Sequence, residues 1–188
     1  MKKLFIIILI SLCFTSCELS HPEALLGIKL GLPKQSQISQ AILEGKIKVN
    51  KGVSFIDFGG GSLIGYFTTF TANDEKGIEI ITAISIAFVN IDFHHPNLMD
   101  KKSIYVQSAN IDFLIDSYTG KYGVPKFSSN RGKEKRVWVK GDMVITLDTW
   151  TDFEYMGIPY CEAFASYEYK EAIMQKLETE GKKNNKNI

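Results

Sequence analysis

The sequence predicts an α+β domain: two helix-plus-three-strand units in tandem, forming an antiparallel sheet with helices on one face, plus a C-terminal helix. Three observations predict it. Apolar runs separated by short Gly-, Asn- and Asp-bearing turns read as strands that follow one another in an antiparallel sheet. Two stretches with apolar residues at helical spacing each precede a group of three such runs. The chain has 188 residues, 45% of them hydrophobic and 23% charged, which is ordinary globular usage for one domain.

The elements follow in order. Pro33 precedes a helix from Lys34 to about Lys46, with Ile38, Ala41 and Ile42 on one face. Val53–Phe58 and Ile64–Thr71 pair as a hairpin across Gly59-Gly60-Gly61-Ser62. Asn73 to Gly77 is the next turn, and Ile78–Val89 is a long strand with apolar residues on both sides, as in a central, covered strand. Asp92 to Lys102 reads as a loop. A second helix runs from Asn110, its expected N-cap, to Tyr122, with Gly123 and Pro125 ending it. Lys126 to Lys133 reads as a polar loop. Lys135–Lys140 and Met143–Trp150 form a hairpin across Gly141-Asp142. Thr151 to Pro159 is a loop, Tyr160–Tyr169 the last strand, and Tyr169 to Glu180 a closing helix.

The first residues read as an export signal. Lys2 and Lys3 precede the apolar run Leu4–Phe14, which is too short to span a bilayer at about 20 residues but suits a signal-peptide core. Phe14-Thr15-Ser16-Cys17 resembles the bacterial lipobox. The resemblance implies that residues 1–16 are removed and that the Cys17 thiol is acylated. It implies a palmitate-bearing lipoprotein anchored in the membranes of the cell envelope. The other readings of this segment are a secretory signal cut elsewhere and an uncut anchor. On the lipoprotein reading residues 17–26 are the lipidated N-terminus and tether, 27–181 the single domain, and 182–188 a disordered tail. Removing residues 1–16 leaves 20 basic against 21 acidic side chains. So near-neutral a domain has no bulk field to attract a nucleic acid, and none is expected as partner.

On the lipoprotein reading Cys13 leaves with the signal and Cys17 is acylated, which implies that Cys161 is the one thiol remaining and that the mature domain contains no intramolecular disulfide. Cys161 alternates onto one face with Ala163, Ala165 and Tyr167. That face predicts a buried strand packed closely under a helix rather than a reactive thiol.

Gly27-Ile28-Lys29-Leu30-Gly31-Leu32-Pro33-Lys34 is similar to the segment that feeds the first helix in small envelope lipoproteins. Lys121-Tyr122-Gly123-Val124-Pro125, followed by Val137-Trp138-Val139, resembles the second half of many bacterial lipoproteins. The architecture resembles the beta-lactamase-inhibitor-protein fold and the small lipoprotein of the outer-membrane assembly machinery. The resemblance implies a binding module and transfers no functional residue.

Four constellations are candidates for chemistry. Asp92-Phe93-His94-His95 has metal-ligating types, but a site needs three or four converging ligands and no nearby Cys or second His cluster completes it, so no metal and no cofactor is expected. Asp152 and Glu154 are acids of the kind glycosidases pair, but they sit too close in one loop to be placed as opposed. Gly59-Gly60-Gly61-Ser62 lacks the Gly-Lys-Ser/Thr of a phosphate loop and the Gly-x-Ser-x-Gly of a nucleophile elbow. The fourth combines basic and aromatic residues into a possible binding patch: Arg131, Lys133, Lys135, Arg136, Trp138, Trp150, Phe153 and Tyr155. The expected function is a tethered protein-binding or scaffolding module, not an enzyme. The alternatives are a lipid or small-ligand carrier and an enzyme acting on wall glycan.

Overall fold

A computed structural model describes residues 20–58, 63–90, 106–155, 157–171 and 173–175. The signal segment, Cys17, the triple-glycine turn, the Asp92–His95 cluster and the tail lie outside the described residues.

The chain is mostly β. Its strands are β1 (Glu23–Leu25), β2 (Ile28–Lys29), β3 (Lys48–Asn50), β4 (Val53–Phe58), β5 (Leu63–Asn73) and β6 (Glu79–Asn90). There follow β7 (Val106–Gln107), β8 (Lys126–Asn130), β9 (Lys133–Lys140), β10 (Met143–Tyr155) and β11 (Ile158–Tyr169). Helix α1 is Lys34–Leu43 and helix α2 is Ser108–Tyr122. A third, shorter helix is described at residues 171 and 173–175. β1 and β2 form a small hairpin of their own. The other nine strands form one antiparallel sheet in the order β3-β4-β5-β6-β11-β10-β9-β8, with β7 paired to β11.

The expected tandem of helix-plus-three-strand units is not what the chain builds. Lys126–Asn130, expected as a loop, is strand β8 at one edge of the sheet, and Lys48–Asn50 is strand β3 at the other. Both are exposed at every residue, so neither carries the apolar alternation by which a strand is recognised. Residues 151–155, also expected as a loop, continue β10 across a bulge between Thr151 and Phe153. Helix α2 starts two residues before the expected Asn110 cap, and its N-cap Gln107 makes no side-chain capping bond.

The core lies on one face of the sheet. Ile84, Ile86 and Phe88 of β6, Ala163, Ala165 and Tyr167 of β11, and Ile145 and Leu147 of β10 are at most 1% exposed. Ala41 of α1 and Ile111, Leu114 and Tyr118 of α2 pack into the same cluster, so both helices cover this face. Ala163 and Ala165 are small because α2 rests over them. Ala24, Leu25, Ile28 and Leu30 join the cluster, so the chain packs on the domain from its first described residues. Gly31 N–H donates to Ile81 O at 2.7 Å and Ile81 N–H to Leu32 O at 3.1 Å, fixing that segment to the start of β6.

Gly65 is a close-approach position. A Cβ there would lie 2.5 Å from Ile86 Cγ2 and 2.8 Å from a Phe58 ring carbon. The Ile86 methyl is a short, buried branch that cannot swing away. Gly65→Ala is therefore expected to destabilise the domain by about 1–3 kcal/mol through overpacking. Urea unfolding checks this: the midpoint falls with the slope unchanged, and the double variant with Ile86→Ala loses less than the sum of the two single losses.

Candidate functional site

Side chains alternate across each strand, so the residues between the core positions form the second face of the sheet. Among the described residues no helix lies on it. Its composition follows from the cross-strand register. One row runs Phe55, Tyr66, Ala87, Phe164, Asp148, Lys135, Ser128, crossing β4, β5, β6, β11, β10, β9 and β8. A neighbouring row runs Thr68, Ser85, Ser166, Thr146, Val137, Lys126. The first row is aromatic at one end and charged at the other. The second is largely hydroxyls, and Thr146 Oγ1 lies 2.8 Å from Ser166 Oγ. Tyr66, Phe70 and Val139 stand 43%, 54% and 54% exposed on this open face.

Two features break its flatness. Trp150 sets its ring edge-on to Phe164, centroids 5.4 Å apart, and Lys133 places Nζ 5.4 Å from the Trp150 centroid. Lys133 and Trp150 are directly opposite one another on β9 and β10, which is why the cation sits over the ring. At the β3–β4–β5 corner, Asn50, Lys51, Val53, Phe55, Ile64 and Tyr66 line a cleft of about 440 Å³. A second cleft, of about 400 Å³, lies away from this face, between the Leu26–Ile28 turn and the α1 residues Gln37, Gln40 and Ala41 with the C-cap Glu44.

The structure divides the patch read from the sequence. Lys133, Lys135 and Trp150 share the open face. Arg131 is exposed in the β8–β9 turn, with a left-handed φ of 49°. Arg136 and Trp138 project from the other side of β9, the side that faces the helices. Trp138 is 2% exposed, and its Nε1–H donates to Gly123 O at 2.7 Å. Arg136 donates through Nη2 to Glu134 Oε2 at 2.8 Å and lies 5.0 Å over the Phe127 ring. Its Nη1 is buried without a hydrogen-bond partner among the described residues. Period-two alternation makes this division inevitable in any strand that carries Lys133, Lys135, Arg136 and Trp138 together. The backbone of Phe153 and Tyr155 lies in β10.

Sequence reasoning missed Tyr66, Phe70 and Phe164. Each lies in a strand where it reads as core, and the signal that could have found them is parity with Ala83, Ser85 and Ala87, the small residues of β6. Cys161 is buried as expected. Its Sγ donates to Val106 O at 3.6 Å and lies 4.0 Å from Ser108 Oγ. Burial pushes the thiol pKa up, so it stays protonated and a poor nucleophile at neutral pH.

Among the described residues no three His, Cys, Asp or Glu side chains gather as metal ligands, and no helix is long and apolar enough to cross a membrane. Comparison with protein-family models, with curated proteins and with solved structures finds no match.

Proposed function

We propose that this domain is a membrane-tethered protein-binding or scaffolding module of the cell envelope, held by lipid on Cys17 and engaging its partner through the open face of the sheet. The supporting observation is that face itself: one aromatic-to-charged row spans seven strands with no helix over it among the described residues. A broad face of this kind, with exposed Tyr and Phe beside hydroxyls and a few charges, has the composition of a protein interface. A tether adds to it by confining the search for a partner to the membrane plane, which raises effective concentration. The carrier reading has one observation in its favour, the 440 Å³ cleft with Val53, Phe55, Ile64 and Tyr66 on its walls, a volume within the range of small-molecule sites.

Photo-crosslinking in living cells tests the proposal. A photoreactive residue placed at Tyr66 or Phe70 is expected to give discrete protein adducts. The same residue at Asp116, exposed on α2, is expected to give none, and Cys17→Ser is expected to weaken the Tyr66 adducts severalfold. Equal labelling from Asp116 would remove the open face from the proposal. Labelling of a small amphiphile alone would turn the assignment to the carrier.

A further inference from the structure

The start of the described chain is pinned to one end of the sheet. Ser20 Oγ donates to Asp142 Oδ2 at 2.5 Å, and the Tyr169 hydroxyl donates to Ser20 O at 2.7 Å. Asp142 lies in the β9–β10 turn and Tyr169 ends β11. Only Glu18 and Leu19 separate Ser20 from Cys17, and three residue steps span at most about 11 Å. An acyl chain on Cys17 therefore holds this end of the sheet, and no other, within about 11 Å of its attachment point.

The same end carries the loop that follows α2. Trp138, two residues before the turn strand-end Lys140, ties the loop down at Gly123 O, and the Tyr122 hydroxyl donates to Ala24 O at 3.2 Å. The loop, with the last two residues of α2 and the first of β8, reads Lys121-Tyr122-Gly123-Val124-Pro125-Lys126, with two lysines and no acid. Val124 at its tip is 91% exposed, the most exposed large apolar side chain described. Among the described residues neither lysine is in an ion pair, and exposed Lys140 stands on the same end. The acids nearby are exposed Glu23, Asp142, which accepts from Ser20, Glu168, which accepts from Ser166, and Glu171, which accepts from Gln175.

We infer that loop 121–126 is a second membrane contact, which seats Val124 in the headgroup layer of an anionic bilayer with Lys121 and Lys126 on lipid phosphates. The inference rests on the acylation of Cys17 proposed above. An exposed apolar tip between two cations is the chemistry of interfacial binding. Each lysine near an anionic surface adds about a fivefold preference for it. Two contacts at one end set the sheet upright, so the open face runs along the membrane normal, facing neighbours in the plane.

Full-length protein purified from membranes is first weighed by intact mass, which reports acylation of Cys17. Val124→Cys then carries a polarity-sensitive fluorophore, with Arg131→Cys at the opposite end as control, while Cys161 stays buried and unlabelled. The protein is reconstituted in vesicles of phosphatidylcholine with a quarter phosphatidylglycerol. The probe at 124 is expected to shift to the blue and to be shielded severalfold from an aqueous quencher, and the probe at 131 is expected to stay in water. Lys121→Glu with Lys126→Glu is expected to abolish the shielding without changing the mass that acylation adds. Acylated protein with both probes equally quenched overturns the membrane contact alone. Protein without an acyl chain overturns the tether and this contact together. Shielding that depends on protein concentration rather than on anionic lipid assigns the loop to a second copy and overturns the inference.

Discussion

Above about pH 10 the domain is expected to lose about 3 kcal/mol of stability for each further pH unit. The cause is a pair of phenols in the core. Tyr118 of α2 and Tyr167 of β11 are 6% and 1% exposed, and the Tyr167 hydroxyl donates to the Tyr118 hydroxyl at 2.6 Å. Their rings pack 6.1 Å apart, with Tyr122 and Trp138 beside Tyr118 at 5.9 and 5.5 Å. Burial is the largest cause pushing both pKa values above the ordinary phenol value, and for Tyr167 the charge of a neighbouring phenolate adds to it. In the unfolded chain both groups release their protons near pH 10. In the native domain they keep them. The unfolded state then binds fewer protons than the native one, so stability is complete below about pH 10 and falls as pH rises towards the folded values. Each phenol contributes about 1.4 kcal/mol per pH unit. Tyr169, whose pKa burial and Asp142 also raise, steepens the fall. A domain at the low end of ordinary stability, about 5 kcal/mol, then unfolds about two pH units above 10.

Tyrosinate absorbance and circular dichroism recorded through one alkaline titration check this. The buried phenols are expected to ionise together with the loss of secondary structure, after the exposed ones. Ionisation of every tyrosine near pH 10 with native dichroism intact would contradict the burial account. Tyr118→Phe is expected to reduce the slope by about 1.4 kcal/mol per pH unit. It also costs about 1–3 kcal/mol at neutral pH, because the Tyr167 hydroxyl loses its acceptor inside the core.

Much of the fold was legible because its central elements announce themselves. The apolar even positions Ile80, Ile84, Ile86 and Phe88 mark β6, and each is buried. The stripe Ile111, Leu114, Ile115, Tyr118 marks α2, with Gly123 at a left-handed φ of 86° ending it. The small residues Ala163 and Ala165 announced a strand under a helix. The edges of the sheet did not announce themselves. β3 and β8 pair on one side only and meet water along their length, and Lys48 and Lys126 suit strands that must resist further pairing. Composition there resembles a loop, and pairing is decided by the neighbour rather than by the strand. The β1–β2 hairpin turns on Leu26 at φ 56° and Gly27 at φ 83°, and a leucine in that conformation carries no turn signal in sequence. The candidate site was half legible for a related reason. Lys133, Lys135 and Trp150 were found by type, but which of their neighbours share a face depends on register, and register is a property of paired strands.

Trp138 shows how much one such register position carries. Trp138→Ala is expected to cost about 3–5 kcal/mol, from lost apolar transfer and the cavity it leaves. That is a large fraction of an ordinary domain's stability. The indole is 2% exposed, opposite Ile145 on β10, with Tyr118 5.5 Å away on α2. It also donates to Gly123 O, so it joins the end of α2 to the sheet by packing and by hydrogen bond at once. Trp138→Phe separates the two contributions. It keeps most of the ring and removes the donor, so it is expected to cost roughly 1–3 kcal/mol, mostly from the carbonyl left without its partner. Urea unfolding of both variants measures the two terms, and hydrogen exchange locates them. Amides in the last turn of α2, such as Tyr122 and Gly123, are expected to lose protection in Trp138→Phe while those of β6 keep theirs. Uniform loss along the chain would mean that the bond to Gly123 O has no local role. Local loss would tie the loop that carries Val124 to the core through a single side chain, so its position beside Ser20 would be fixed by the same packing that holds the sheet to its helix.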